Sequence, residues 1–124
     1  MFKLVLRGRV APNVLTRLPN LTRPFQEDTS VSYAFVLRQG YDISIGTTFR
    51  ATEVGANGYE VTQRYRLMAV SHRFDVSLDR LPYGWDIICA FQLLGAGPDL
   101  LASLPFVAEC YEQSTTELVL SSEA

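Results

Sequence analysis

The chain has 124 residues, of which 48% are hydrophobic and 19% are charged, and its formal net charge at pH 7 is −2. A chain of this length buries roughly two-thirds of its unfolded surface in one globular domain, so no disulfide or structural metal is required. No apolar run approaches the roughly 20 residues of a membrane-spanning helix, and the alternating N-terminal sequence lacks the apolar centre of a signal peptide. We therefore expect a cytoplasmic protein that does not associate with membranes.

The charged residues are distributed unevenly along the chain. All eleven cations, ten of them arginines, lie in residues 1–80 together with seven acids, whereas residues 81–124 hold six acids and no cation. The first 26 residues contain five cations and no acid. Arginine makes planar, bidentate contacts with carboxylates and phosphates. The sequence therefore predicts a basic N-terminal part and an acidic C-terminal part.

Residues 11–30 form the only long connection between predicted elements. Pro12, Pro19 and Pro24, together with the lack of a steady apolar period, exclude a helix or a long central strand. Connections of this length are usually functional or disordered, and five large apolar side chains argue against a solvated linker. We predict an extended arm that packs on its own domain or on a neighbouring subunit. The candidate partner-binding residues of the arm are Leu15, Arg17, Leu18, Leu21, Arg23 and Phe25.

Alternation with a period of two residues dominates the next part of the chain. The runs VSYAFVL (residues 31–37) and YDISIGTTFRATEV (residues 41–54) are typical of strands with one buried face. The sequence GANG at residues 55–58 predicts a hairpin turn, because glycine and asparagine accept a positive φ. The return strand, residues 59–78, changes the parity of its apolar positions near residues 69–71, which predicts a β-bulge or a sharp bend.

The C-terminal part contains further strands. The run WDIICAFQLL, residues 85–94, is apolar on both faces and predicts a central strand in which Trp85 is buried. GPDLLASL predicts a single helical turn, and PFVAECYEQ and TELVL supply the last one or two strands. Six or seven hairpin-linked strands with at most one short helix indicate a single all-β domain over residues 1–124, either an antiparallel sandwich or a small barrel. The extended arm or long loop of residues 11–30 belongs to this domain.

The chain carries no recognisable catalytic, cofactor or metal motif. His72, the only histidine, adjoins Ser71, but neighbouring residues of a strand point to opposite faces and cannot form a nucleophile–base pair. Glu109 and Glu112 also fall on opposite faces, which favours solvated acids over an acid/base pair. We therefore expect a protein that is not an enzyme and needs no cofactor.

The two cysteines, Cys89 and Cys110, lie in apolar stretches and are too far apart for a CxxC site. A buried free cysteine behaves as a small hydrophobe, and we favour this state over a disulfide for both residues.

Tyrosines and the tryptophan interleave with Arg64 and Arg66, a composition that single-stranded nucleic-acid barrels also use. The net charge of −2 and the cation-free final third argue against nucleic acid as the partner. These aromatic residues are therefore expected to form the core and its rim.

Residues 65–94 have the form Y-R-x-x-x-V-x-H, then a polar loop, then G-W and an apolar strand. This pattern, carried by Val70, His72, Gly84 and Trp85, resembles the paired strands in small β-barrel modules of bacteriophage tail and baseplate hub proteins. The resemblance implies a structural protein of a tail, neck or baseplate, located in the virion.

Together, these features predict a non-enzymatic structural or interaction protein that joins other protein subunits as a homo-oligomer or a hetero-assembly. Arg17 and Arg23 of the arm would meet the acidic C-terminal part, including Glu109, Glu112 and Glu117, in the same chain or in a neighbour. The alternative is a small-molecule-binding β-barrel, which requires a closed cavity lined by tyrosine and tryptophan with a few convergent polar groups.

Overall fold

The computed structural model of the protein describes residues 2–11, 31–37, 44–70, 85–107 and 117–123. Within these ranges lie seven strands and one 3₁₀ turn, Leu100–Ser103. The strands are β1 (Lys3–Val10), β2 (Val31–Leu37), β3 (Thr48–Val54), β4 (Glu60–Val70), β5 (Trp85–Leu94), β6 (Phe106–Val107) and β7 (Leu118–Ser122).

Six of the strands close into an antiparallel barrel. The order is β1–β2–β5–β4–β3–β7, and pairing of β7 with β1 completes the circle. The two-residue strand β6 adds to β1 in the parallel direction at Arg9 and Val10. The all-β prediction is confirmed, and of its two architectures the small barrel is the one present. Closure pairs the strand edges that an open sheet would expose.

Alternation along β1 and β7 places one face of each strand in the interior. Leu4 and Leu6 of β1 are fully buried and lie opposite Leu120 and Leu118 of β7 in register. The residues between them point outward and are more exposed. Burial of leucine side chains on one face therefore fixes the register, because a slip by one residue would bring that face to the solvent.

The β3–β4 hairpin confirms the predicted turn at residues 55–58. Val54 pairs with Glu60, and the N–H of Gly58 donates to the carbonyl of Gly55 over 2.9 Å. Gly58 has φ of 83°, a conformation that residues with a Cβ rarely adopt.

The predicted strand of residues 41–54 is too long. β3 begins only at Thr48, and Ile45 and Gly46 form a turn in which Gly46 has φ of 95°. The N–H of Thr47 donates to the carbonyl of Ser44 across this turn over 3.2 Å. The positive φ of Gly46 ends the extended conformation although the apolar alternation continues through it. Residues 41–43 lie outside the described part of the chain.

The predicted parity change in the return strand is confirmed as a register shift in β4. Leu67 pairs with Phe91 and Ala69 pairs with Ala90, so two steps along β4 match one step along β5 and Met68 is the additional residue. Beyond the bulge, Val70 packs on the core although it has the opposite parity to Leu67. The shift lies one residue before the predicted position, and residues 71–78 are not among those described.

Aromatic rings fill the centre of the barrel. Phe49 meets Phe91 edge to face at a centroid distance of 5.9 Å, and Phe2 meets Phe49 in the same way at 5.8 Å. Tyr65 and Leu67 of β4 are fully buried beside them. Edge-to-face ring pairs add to the stabilisation that burial of their area already provides.

The prediction that β5 is apolar and buried on both faces is confirmed for its middle residues. Ile88, Cys89, Ala90 and Phe91 are all fully buried. Burial raises the pKa of the free Cys89 thiol to about 12. The side chain of Trp85 lies outside the described part of the chain, as does Cys110.

None of the helical residues that the structure describes forms a segment long and apolar enough to cross a bilayer.

Candidate functional site

The six predicted partner-binding residues of the arm all lie outside the described residues, and their role stays a prediction. His72, Glu109 and Glu112 lie outside them as well. Glu117 is described, and its Oε2 accepts a hydrogen bond from Nε of Arg7 over 3.2 Å. One member of the predicted acidic receptor therefore pairs with β1 of its own chain. The six arm residues that lie outside the described part of the chain are Leu15, Arg17, Leu18, Leu21, Arg23 and Phe25.

The segment after β5 packs into the barrel core through Leu100, Leu101 and Leu104. The predicted helical turn is confirmed as the 3₁₀ turn Leu100–Ser103, and Asp99 caps it by accepting from the N–H of Leu101 over 3.0 Å. Side-chain caps of this kind satisfy a backbone donor that the turn leaves open. The cap therefore fixes the segment that covers this part of the core.

Tyr65 joins this segment to β4. Its buried hydroxyl donates to Oδ1 of Asp99 over 2.6 Å and accepts from the N–H of Leu100 over 2.8 Å. The Oγ of Ser32 in β2 donates to the other oxygen of Asp99 over 3.0 Å. Burial, followed by the contact with Asp99, raises the pKa of Tyr65 above its ordinary value. We call Ser32, Tyr65 and Asp99 the Tyr65–Asp99 cluster.

Gln63 makes a second connection to the same segment. Gln63 is buried, and its Nε2 donates to the carbonyl of Pro98 over 2.8 Å. A Cβ at Gly97 would lie 2.6 Å from that nitrogen, and Gly97 has φ of 116°. Only glycine therefore fits at this point of the loop. The buried amide of Gln63 is thus bonded within the protein itself.

The outer surface of β3 and β4 carries three exposed arginines, Arg50, Arg64 and Arg66. Arg50 lies directly opposite Arg64 in register, and Arg66 lies opposite Thr48. We call these three residues the arginine face. Their even positions place them on the opposite side of the strands from Phe49 and Tyr65.

One carboxylate of the same chain binds the arginine face. Nε and Nη2 of Arg64 donate to the two oxygens of Glu123 over 2.8 and 2.9 Å, a bidentate contact. The hydrogen bond from Arg64 and the nearby charge of Arg50 hold the pKa of Glu123 below its usual range. The bidentate contact between Arg64 and Glu123 shows how an arginine of this face binds a carboxylate.

Large apolar side chains are exposed at several points of the described surface. Ile45, Val54, Tyr59 and Phe106 retain between 50% and 73% of their accessible area. Val54 and Tyr59 flank the β3–β4 turn, all of whose residues are exposed. The guanidinium of Arg9 stacks over Phe106 at 4.0 Å from the ring centroid. Exposed apolar residues near one another can serve as contact points for another protein.

Residues that are neighbours in the sequence can lie on opposite sides of a strand, and residues far apart in the sequence can be in contact. Tyr65 faces the interior whereas Arg64 and Arg66 face outward, so rings and cations do not share one surface there. The arginine face was not predicted as a site: a turn over residues 55–58 alone pairs Arg50 with Gln63, whereas the observed register, with Val54 opposite Glu60, pairs Arg50 with Arg64. No local signal connects Tyr65 with Asp99.

Among the described side chains, no group of three or more His, Cys, Asp or Glu residues is placed to hold a metal ion. No family model, no curated protein and no solved structure matches this chain.

Proposed function

We propose that the protein is a non-enzymatic structural or interaction protein that joins a larger protein assembly. The observation that carries the proposal is the contrast between a filled interior and a surface rich in contact residues. The inner rings pack edge to face and the inner polar groups bond to one another. The described surface, by comparison, exposes arginines and large apolar side chains, which are the residue types enriched in protein interfaces.

The filled core does not favour the alternative of a small-molecule-binding barrel. Such a barrel keeps an open centre with polar groups directed at the ligand. Here Phe49 and Phe91 occupy the centre, and the hydroxyl of Tyr65 is engaged by Asp99. In the part of the chain that the structure describes, these interior positions are held by fully buried side chains.

The β3–β4 turn is the best supported contact point on the described surface. Val54 and Tyr59 are both exposed and lie on either side of four turn residues. The side chain of tyrosine combines a large apolar ring with a hydroxyl, so it contributes to interfaces at a small cost in conformational entropy. We call the β3–β4 turn together with Val54 and Tyr59 the tip. It offers two exposed apolar side chains, and the hydroxyl of Tyr59 can form a hydrogen bond with a partner.

The proposal includes a place in a virion, as a tail, neck or baseplate component. It rests on the resemblance of residues 65–94 to the phage hub modules. The resemblance to phage hub modules concerns two paired strands of a small β-barrel, and β4 and β5 are adjacent antiparallel strands of such a barrel. Val70, at the end of β4, pairs with Cys89 of β5.

Sedimentation velocity of the purified full chain, over a wide range of concentration, tests the proposal. We expect the mass to rise with concentration and the Val54→Ser/Tyr59→Ser variant to associate less. Ile45→Ser is the matched control, because it removes an equally exposed apolar side chain away from the tip. A chain that stays monomeric throughout would exclude a homo-oligomer, and equal weakening in the control would exclude the tip as the contact.

A further inference from the structure

The arginine face carries an electrostatic cost within the isolated chain. Arg50 and Arg64 lie directly opposite each other on neighbouring strands, and Arg66 lies two residues along β4 on the same outer side. Like charges at directly opposed positions destabilise a sheet. An external anion on this face would therefore be bound favourably, because it relieves a repulsion that already exists.

The chain's own acids compensate this charge only in part. Glu123 is bidentate on Arg64, whereas neither Arg50 nor Arg66 forms a salt bridge with a residue that the structure describes. Three arginines and one glutamate leave two positive charges on the face. The charge that Glu123 does not compensate is that of Arg50 on β3 and Arg66 on β4.

The shape of the face fits an extended acidic peptide. Arg50 and Arg66, the two arginines that Glu123 does not bind, are diagonal neighbours on adjacent strands, at a spacing of roughly 7–8 Å. Alternate side chains of an extended peptide have the same spacing, so carboxylates at every second position would meet these guanidinium groups in turn. The contact between Arg64 and Glu123 shows that guanidinium forks on this face accept a carboxylate edge on.

Two other occupants fit less well. Single-stranded nucleic acid binders present aromatic rings on which bases stack, but the outward side chains of β3 and of residues 60–68 include no ring. Among the carboxylates whose side chains the structure describes, a second copy of this chain offers only Glu60 without a bond inside its own chain, too few for two arginines. Glu117 and Glu123 pair with arginines, and Asp99 and Glu53 accept hydrogen bonds from hydroxyl groups.

We propose that the arginine face is the docking surface for an extended acidic segment of a separate protein partner. This inference rests on the proposed function, for which it names one surface and the chemistry of the partner.

Fluorescence anisotropy of a labelled peptide with alternating glutamate and serine, titrated with the full chain, tests the inference. The variant is Arg50→Gln/Arg66→Gln, which leaves the pair between Arg64 and Glu123 in place. The control is Arg7→Gln/Arg9→Gln, which removes the same charge from β1. Circular dichroism verifies that both variants fold. A serine-only peptide and an oligothymidine of equal charge complete the set of probes.

We expect the face variant to bind the acidic peptide roughly tenfold more weakly and the control variant less than about twofold more weakly. Added salt should weaken the wild-type complex, since exposed charges are screened. If both variants lose the same affinity for the acidic peptide, the effect is one of net charge, and the arginine face is not a specific binding site.

The remaining outcomes overturn the inference in different ways. Tighter binding of oligothymidine than of the acidic peptide would assign the face to nucleic acid. Loss of self-association in the Arg50→Gln/Arg66→Gln variant would assign it to a second copy of the chain. If the peptide does not bind while the wild type still associates, the arginine face is wrong and the proposed assembly function stands. If the wild type is monomeric and binds the peptide, self-assembly is refuted and the inference that the arginine face is a docking surface stands.

Discussion

Replacing Tyr65 by phenylalanine isolates the contribution of the Tyr65–Asp99 cluster to stability. The ring stays in the core, so no cavity forms. The variant loses the 2.6 Å hydrogen bond to Asp99 and leaves the buried N–H of Leu100 without its acceptor. A hydrogen bond to a charged group contributes about 1.5–3 kcal/mol, and an unsatisfied buried donor costs about 1–3 kcal/mol. Because these two losses overlap, we expect the free energy of unfolding to fall by about 2–4 kcal/mol.

Urea unfolding with linear extrapolation measures this loss, and an unchanged slope would show that the unfolded state is unaffected. Tyr59→Phe is the matched control, because it deletes the same hydroxyl from an exposed tyrosine. It should change the free energy by less than about 0.5 kcal/mol. If Tyr65→Phe costs no more than Tyr59→Phe, the cluster does not hold the segment to the barrel.

The pH dependence gives an independent test of the same cluster. Burial and the contact with Asp99 raise the pKa of Tyr65 in the folded state. The stability that its hydroxyl contributes is therefore fully present below the unfolded pKa of about 10 and is lost as the pH rises toward the folded pKa. The difference in stability between wild type and Tyr65→Phe should shrink above about pH 10. A difference that stays constant through this range would mean that the folded pKa is not raised.

Further predictions concern residues of the core and of the arm. Trp85→Ala should lower the free energy of unfolding by about 3–5 kcal/mol in urea titrations if the side chain is buried, and a loss below about 1 kcal/mol would place it at the surface. Cys89 should resist iodoacetamide at pH 8 in the native protein and react in urea, because burial raises the pKa of its thiol to about 12; peptide mapping that shows rapid native labelling would contradict this. Arg17→Glu/Arg23→Glu should weaken self-association in sedimentation velocity without unfolding the barrel, and an unchanged oligomer would exclude these arginines as its link.

Much of the fold could be predicted because each strand has one side in the core. The alternation that buries Leu4 and Leu6, and the parity change that marks the bulge at Met68, are both local patterns. The choice between a sandwich and a barrel was not predictable, since both produce the same alternation and closure depends on the distant pairing of β1 with β7. The turn at Gly46 was missed because Ile45 continues the apolar pattern on a residue that is exposed.

The candidate surfaces differ in how far the sequence could indicate them. The observed register places Arg50 opposite Arg64, whereas the predicted turn at residues 55–58 alone would have paired Arg50 with Gln63, so the sequence did not indicate the arginine face. The contact of Tyr65 with Asp99 joins residues 34 positions apart through a loop and a single 3₁₀ turn. No periodicity reports such a contact, because its energy comes from one hydrogen bond and not from a repeated pattern.

The arginine face is consistent with a division of tasks between the two sides of the same strands. On β3 and β4 the inward residues Phe49 and Tyr65 provide burial and a buried hydrogen bond, so the fold does not depend on favourable contacts between the outward residues. The repulsion between Arg50 and Arg64 can therefore persist in the folded chain. A partner's carboxylates would neutralise the two guanidinium groups and remove this repulsion. Arginines that contribute little to the stability of the isolated chain would then contribute favourably to the stability of a complex.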